Sequence, residues 1–277
     1  MRVNIKYIAS SGNEYDLIAN GILHKEANYH AWGWGVDGTQ LQYGFRVADF
    51  SRDAAAYKTQ LIFYGGEEQR RELIGRLHDD FEQDVRTKKP GRIVWGDYYI
   101  NCYITESSTE PAEHKTWTQN DINIYAPYPF WIQDLNIELP KGDAEATGFL
   151  EFPFDFAFDF TSPVMGSRII PSDFPFESEF KMVIYGLAVN PRIVVNGYAY
   201  VLNLTVPDGS YVVIDSRAKT IMMYGESGTQ TNVFDYRNKS DSVFQKIPAG
   251  NLNIAWDSSY GVDMTIYRER SEPRAEA

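Results

Sequence analysis

The stretch PRIVVNGYAYVLNLTV, Pro191 to Val206, carries the clearest signal for the fold. Two runs rich in β-branched and aromatic residues flank Asn196-Gly197, a dipeptide that favours the type I′ turn between two antiparallel strands. Such a hairpin needs further strands beside it, because an isolated two-stranded sheet is marginally stable in water. The stretch therefore predicts an antiparallel hairpin inside a larger sheet.

The residues that follow continue the pattern. Pro207–Gly209 predicts a turn into the strand YVVIDS, Tyr211–Ser216. We also expect Leu252–Trp256 to pair with Val262–Tyr267 around the intervening turn. Short strands separated by turns every 8–12 residues or so are typical of an antiparallel β-sandwich.

The first half of the chain adds one helix to further strands. Residues Glu67–Val85 follow Gly65-Gly66 and end before the Pro-Gly stop at Lys88–Gly91. Four apolar residues recur at helical spacing: Leu73, Ile74, Leu77 and Phe81. Arg92–Ile104 reads as a hairpin around Gly96-Asp97. We expect a helix with a narrow apolar stripe that lies on a sheet.

A one-sided ladder of phenylalanines occupies EFPFDFAFDF, Glu151–Phe160. In an extended chain alternate side chains share a face, so five rings point one way: Phe152, Phe154, Phe156, Phe158 and Phe160. Five rings carry about 750–1,250 Å² of buriable surface. Soluble monomers expose contiguous apolar patches of only about 300–600 Å². We therefore expect the ladder to be covered, either in the chain's own core or against another subunit or domain.

Composition excludes several classes of protein. The chain has 277 residues, 43% of them hydrophobic, so it can bury a substantial core. Its formal net charge of −12 argues against a general affinity for nucleic acid, which requires clustered Lys and Arg. The sole cysteine, Cys102, excludes an intrachain disulfide. The apolar runs are too short to span a bilayer, and the N-terminus predicts no secretory signal.

Charge is unevenly distributed. Residues 131–180 hold ten Asp and Glu against two basic residues, whereas residues 181–277 balance at ten and ten. Such a shift indicates a boundary, a docking segment or a solvated connector. We predict a domain over residues 1–130 that contains the helix, an acidic Phe- and Pro-rich connector over 131–167, a β-sandwich over 168–270 and a loose tail over 271–277.

The sequence marks no catalytic, cofactor-binding or metal-binding residues. The four histidines, His24, His30, His78 and His114, form no metal-ligand pair, and nucleophile and phosphate-binding motifs are absent. Two alternatives remain open. Aromatic residues of the C-terminal part could stack on a sugar, or form a core: Tyr198, Tyr200, Tyr211, Tyr236, Trp256 and Tyr260. An unmarked pair of carboxylates could also belong to a polysaccharide-degrading enzyme.

The order of the segments resembles one known family. The run FSRDAAAYKTQLIFYGG, an amphipathic helix and KKPGRIVWGDYYINCYI are similar to the N-terminal half of the distal tail proteins of long-tailed bacteriophages and prophages. The Phe ladder, YGLAVNP (Tyr185–Pro191), VIDSRAKTI (Val213–Ile221) and FQKIPAGNLNI (Phe244–Ile254) resemble the remainder. The resemblance covers nearly the whole chain.

The resemblance implies a mainly β fold with one main α-helix: an N-terminal β-barrel-like ring domain and a C-terminal galectin-like antiparallel β-sandwich. It implies a structural role without cofactors. Such proteins form a homo-hexameric ring that joins the tail tube protein to the tail-tip spike protein and, in many phages, to receptor-binding or baseplate proteins. We accordingly expect a virion protein of the tail tip, assembled in the host bacterial cytoplasm, that contacts neither membrane nor specific nucleic acid.

Overall fold

The computed structural model describes residues 4–25, 27–110, 116–142 and 165–274. The Phe ladder, with Phe152, Phe154, Phe156, Phe158 and Phe160, lies outside the described residues, so its burial stays a prediction. The chain is mostly β, with 52% strand and 10% helix, and its large sheets are antiparallel. This confirms the predicted fold class of a mainly β protein with one main helix.

The chain divides into two compact units. Unit 1 comprises residues 1–133 and 269–277, and unit 2 comprises residues 134–268. The elements that begin in unit 1 are β1 (Ile5–Ile8), β2 (Glu14–Asp16), β3 (Ile22–Lys25), β4 (Gly35–Gln40), β5 (Phe45–Ser51), β6 (Ala55–Tyr64), α1 (Glu67–Thr87), β7 (Gly91–Trp95), β8 (Tyr98–Thr109), β9 (Trp117–Ala126) and β10 (Trp131–Leu139). The elements that begin in unit 2 are β11 (Met165–Ile170), β12 (Glu179–Tyr185), β13 (Ala188–Val189), β14 (Arg192–Val195), β15 (Tyr198–Val201), β16 (Thr205–Val206), β17 (Tyr211–Asp215), β18 (Thr220–Tyr224), β19 (Gln230–Asn232), a 3₁₀ turn (Phe234–Tyr236), β20 (Leu252–Asp257) and β21 (Val262–Arg270).

Unit 1 is built around the long strand β8, which takes part in two sheets. Its first half pairs with β7, β7 pairs with β1, and β1 pairs with β2. Its second half pairs with β9, followed by β6 and β3. A register shift between Ile104 and Glu106 lies inside the part of β8 that pairs with β9, and such bulges bend a strand. The predicted hairpin Arg92–Ile104 is therefore the central β7–β8 pair, with Ile93 and Ile100 fully buried.

Helix α1 closes the core of unit 1. It extends two residues past the predicted end, to Thr87, where Lys88 adopts a left-handed conformation and donates its N–H to the carbonyl of Asp84. Leu77 and Phe81 of the predicted stripe are buried. Leu73 and Ile74 are partly buried against the same core.

The buried face of α1 also carries charge, which the apolar stripe did not indicate. Asp80 and Asp84 are buried and accept hydrogen bonds from the β1–β2 hairpin; we call this arrangement the acidic clamp. Its donors are the hydroxyls of Tyr7, Ser11 and Tyr15, the side-chain amide of Asn13 and the backbone N–H of Ser10. Burial and the bond to Asp84 raise the pKa of Tyr7, so this hydroxyl stays a donor. The clamp fixes the hairpin to the helix.

Unit 2 is an antiparallel β-sandwich. One sheet has the order β10-β21-β12-β17-β18-β19, and the other has the order β11-β20-β14-β15. The predicted hairpin of Pro191–Val206 is present as β14 and β15, with Asn196 and Gly197 both at positive φ, as a type I′ turn requires. Apolar side chains from both sheets, among them Phe180 and Ile254, fill the space between them.

One predicted pairing is wrong. Leu252–Trp256 and Val262–Tyr267 do not form a hairpin, because β20 lies between β11 and β14 while β21 lies beside β12 in the other sheet. The turn between them crosses the core from one sheet to the other. Alternate residues of both strands are buried, and this pattern is the same for a hairpin and for two strands that face each other across a sandwich.

Candidate functional site: an exposed β-arm

Unit 1 carries a two-stranded β-arm that its other described residues leave uncovered. Strands β4 and β5 pair with each other, and within the described residues they have no third strand. Every residue from Ala31 to Ser51 is exposed. The chain reverses at Leu41–Gly44, where the N–H of Leu41 donates to the carbonyl of Gly44. An arm of this kind gains little from its own two strands and needs support from other surfaces.

The arm is amphipathic. The strand register pairs Val36 with Phe50, Gly38 with Val47, and Gln40 with Phe45, which places these residues on one face. The other face carries polar and charged residues: Asp37, Thr39, Arg46 and Asp49. The four apolar side chains of the first face, Val36, Phe45, Val47 and Phe50, remain 45–57% exposed. The arm therefore presents an apolar face to its surroundings, as a surface that binds another protein does.

The local sequence explains the shape of the arm. The register shifts between Asp37 and Gly38, so β5 contains one extra residue, Ala48. Gly38 is required there, because a Cβ at this position would lie 2.1 Å from the carbonyl oxygen of Arg46 and 2.7 Å from the ring of Phe45. The bulge keeps the apolar residues of the two strands on the same face.

Side chains from distant parts of the sequence hold the base of the arm. The guanidinium carbon of Arg52 lies 5.7 Å from the ring centre of Trp34 and 4.7 Å from that of Phe130, within cation–π range. The same guanidinium donates to the hydroxyl and the carbonyl of Ser271, at 2.8 and 3.2 Å. Arg52 thus connects the end of β5 to the C-terminal part of unit 1.

Two carboxylates of the C-terminal segment strengthen this connection. Glu269 accepts a hydrogen bond from the hydroxyl of Tyr128 at 2.6 Å. Glu272 lies 3.5 Å from Nδ1 of His30, in the loop that leads into the arm. The tail over residues 271–277 was expected to be loose, and in the part that the structure describes, up to Arg274, Ser271 and Glu272 make these contacts. The arm therefore projects from a fixed base.

The histidines named in the sequence do not converge. His24 is stacked on the ring of Tyr29, and its Nε2 lies 3.1 Å from the hydroxyl of Thr59. Burial lowers the pKa of His24 to about 4 and also lowers the pKa of His78. His78 contacts Ser107 and Asn120. His114 lies outside the described residues, and the described ones contain no group of His, Cys, Asp or Glu that could hold a metal ion.

A groove of about 1010 Å³ runs along strands β3, β6, β8 and β9. Its charged residues are two of each sign: Lys25, Lys58, Glu106 and Asp121. His24, which also lines it, is uncharged near neutral pH because of its low pKa. The groove is a polar surface of mixed charge with an open mouth, and it does not select one ligand.

The aromatic residues suggested for sugar stacking are divided between core and surface. Tyr200, Trp256 and Tyr260 are buried in the core of unit 2, whereas Tyr211 and Tyr236 are exposed. Tyr211 stacks face to face on Tyr224, with ring centres 5.0 Å apart. A sugar stacks on a free ring face, and these two faces cover each other. Tyr236 is 53% exposed, so the sugar-binding alternative stays a hypothesis.

In the described residues, no helix is long and apolar enough to cross a membrane. The buried thiol of Cys102 has its pKa raised to about 12 by burial, so it is an unreactive core residue at neutral pH.

The fold belongs to a recognisable class: it is the fold of the tail-tip hub and baseplate proteins of tailed phages. This confirms, at the level of the fold, the resemblance to distal tail proteins.

Three solved structures illustrate the likeness. The crystal structure of SPP1 Dit (gp 19.1), described as a paradigm of the hub adsorption apparatus in phages that infect Gram-positive bacteria, matches 98% of this chain and 100% of that one, with a TM-score of 0.60 and 10% identity. A chain of the phage P2 baseplate in its activated conformation with Ca matches 99% and 100%, with a TM-score of 0.65 and 13% identity. The same baseplate with Sr gives a TM-score of 0.66 at 12% identity, with 99% and 100% covered. No protein-family model and no curated protein matches the sequence.

Proposed function

We propose that this chain is a structural hub of a phage tail tip. Six copies form a closed ring that joins the tail tube protein to the tail-tip spike protein and to receptor-binding or baseplate proteins. The ring belongs to the virion and is assembled in the host bacterial cytoplasm. Unit 1 forms the ring, unit 2 is its galectin-like outer sandwich, and the role involves neither catalysis nor a cofactor.

The observation that carries the proposal is the amphipathic arm. Its apolar face is exposed in the single chain, and burying an apolar side chain of this size is worth about 1.5–3 kcal/mol. Contact with another copy would bury that face while the polar face with Asp37 and Asp49 stays in water. The end-to-end match with phage hub and baseplate folds supports the same role.

The mass of the protein in solution tests this proposal. Six chains of 31.7 kDa weigh about 190 kDa, and we expect light scattering to report this mass and electron microscopy to show rings. Phe50→Asp places a charge on the apolar face of the arm and should reduce the mass to that of one chain. Thr39→Asp introduces the same charge on the polar face and should leave the rings intact.

Two other results would count against this proposal. A single-chain mass for the unaltered protein at every concentration up to millimolar, also in the presence of the tail tube protein, would contradict the proposal. Rings of unchanged mass from the Phe50→Asp variant would show that the arm does not join the copies.

A further inference from the structure

A second apolar surface of unit 1 lies on the outer face of the sheet β3-β6-β9. The register places Leu23 beside Ile62 and Tyr64 beside Trp117, and Ile62 and Tyr64 share a face because they are two residues apart. We call these four residues the sheet patch. Leu23, Tyr64 and Trp117 are 37–48% exposed. Their neighbours on the opposite face of the sheet, such as Leu61 and Phe63, are fully buried in the core.

The arm and the sheet patch are both exposed in one chain, so neither covers the other. A half-exposed aromatic ring presents about 100 Å² and a half-exposed valine somewhat less, so the arm face offers on the order of 400 Å². A stable protein interface buries about 800 Å² on each partner. The arm reaches that range only if its tip takes part, where Leu41 and the nearly fully exposed Tyr43 lie.

We propose that the apolar face of the arm in one copy packs on the sheet patch of the next copy. The inference rests on the proposed ring. It adds the surface that accepts the arm and the head-to-tail direction of the contact between copies. The arm and the patch are different surfaces, so each copy donates one and accepts with the other. Contacts of this head-to-tail kind close into rings when the rotation between copies fits.

The electrostatics of the two surfaces agree with this contact. Packing through the apolar face leaves Asp37, Arg46 and Asp49 on the solvent side of the arm, so the arm brings no charge into the contact. Beside the patch, Lys25 donates to the side chain of Gln60 at 3.3 Å and lies outside the apolar area. The contact is thus apolar at its centre and polar at its edges, like the interfaces of stable complexes.

A mixing experiment tests the direction of the contact. Phe50→Asp disables the arm and keeps the patch, whereas Leu23→Asp disables the patch and keeps the arm. Each variant alone should associate about 30- to 100-fold more weakly than the unaltered chain. A mixture of the two should form a complex of two chains, about 63 kDa, and nothing larger, because each pair contains one intact arm and one intact patch that meet.

The outcomes separate this inference from the proposed function. If Leu23→Asp forms normal rings while Phe50→Asp does not, the patch is not the acceptor, but the ring stands. If both variants form normal rings, the arm contact itself is wrong. A mixture that stays at the single-chain mass, although each variant melts at the temperature of the unaltered chain, would also overturn the head-to-tail contact.

Cross-linking gives a second test that does not depend on disrupting the surfaces. Cys102 is fully buried, so engineered cysteines are the accessible thiols among the described residues. A chain with both Phe50→Cys and Leu23→Cys should give a ladder of linked species up to six chains with a short bis-maleimide. Chains with either cysteine alone should give no such ladder, and its absence from the double variant would contradict the contact.

Discussion

Helix α1 and the β-arm lie in the same unit but differ in which side chains they bury. The helix buries charged side chains, and the arm exposes apolar ones. The helix buries Asp80 and Asp84 in the core. The arm leaves Val36, Phe45 and Phe50 in solvent. The buried carboxylates are satisfied by five donor groups of the β1–β2 hairpin, whereas nothing in the described chain covers the apolar face of the arm.

In one part of unit 1 the buried polar groups find their partners within the chain, and in the other an apolar face has no cover among the described residues. Around the helix, the buried carboxylates of Asp80 and Asp84 meet their hydrogen-bonding groups within the chain. Arg52 holds the base of the arm, and the apolar face of the arm is exposed to solvent. Changes near the helix should therefore alter stability, and changes on the arm should alter association.

The largest expected change in stability comes from the acidic clamp. Asp84→Ala leaves the buried hydroxyl of Tyr7 without its acceptor and also removes the acceptor of the Ser10 N–H. The free energy of unfolding should fall by roughly 3–5 kcal/mol, as measured by denaturant titration. Asp79→Ala on the exposed side of the same helix is the control and should change it by less than about 0.5 kcal/mol. Equal losses in both variants would mean that the clamp contributes no specific stability.

A smaller effect should come from the half-buried His24. Its pKa is about 4 in the folded chain and 6.5 when unfolded, so between these values the unfolded chain binds more protons. Stability is therefore complete above pH 6.5 and falls as the pH drops toward 4, by roughly 2–3 kcal/mol in all. His24→Gln should remove this part of the pH dependence. If the unaltered chain and the variant lose the same stability between pH 6.5 and 4, His24 is not the group responsible.

The smallest change in stability should come from the arm. Phe50→Ser removes a ring that is 57% exposed in the single chain. We expect its unfolding free energy, measured on dilute single chains, to change by less than about 0.5 kcal/mol. Val195→Ser, at a fully buried position in the β14 strand of unit 2, is the contrast and should cost about 2–4 kcal/mol. A large loss from Phe50→Ser would indicate that the arm is already part of the folded core.

The sequence allowed local features to be predicted more reliably than pairings. The helix followed from apolar residues three and four apart, and the hairpin at Asn196-Gly197 followed from the backbone conformation that these two residues favour. Both signals are contained in a few neighbouring residues. The partner of β20 was wrong because strand pairing depends on contacts between distant segments, which alternation alone does not specify.

Neither the exposed arm, whose first strand begins at Gly35, nor the acidic clamp was predicted, each for its own physical reason. The available signal was the alternation of apolar residues on both sides of Leu41–Gly44, weakened by the bulge at Gly38. The acidic clamp was missed because Asp80 and Asp84 look like solvent-facing charges until Tyr7 and Tyr15, more than sixty positions away, are brought against them.

The path of the chain through unit 1 has a consequence for biosynthesis. Ser271, which binds Arg52 at the base of the arm, is translated only after the whole of unit 2. A nascent or truncated polypeptide that stops inside unit 2 carries the arm without this anchor. The anchoring contact is therefore available only to chains whose translation has passed through unit 2, which delays completion of the arm's base until unit 2 has been synthesised.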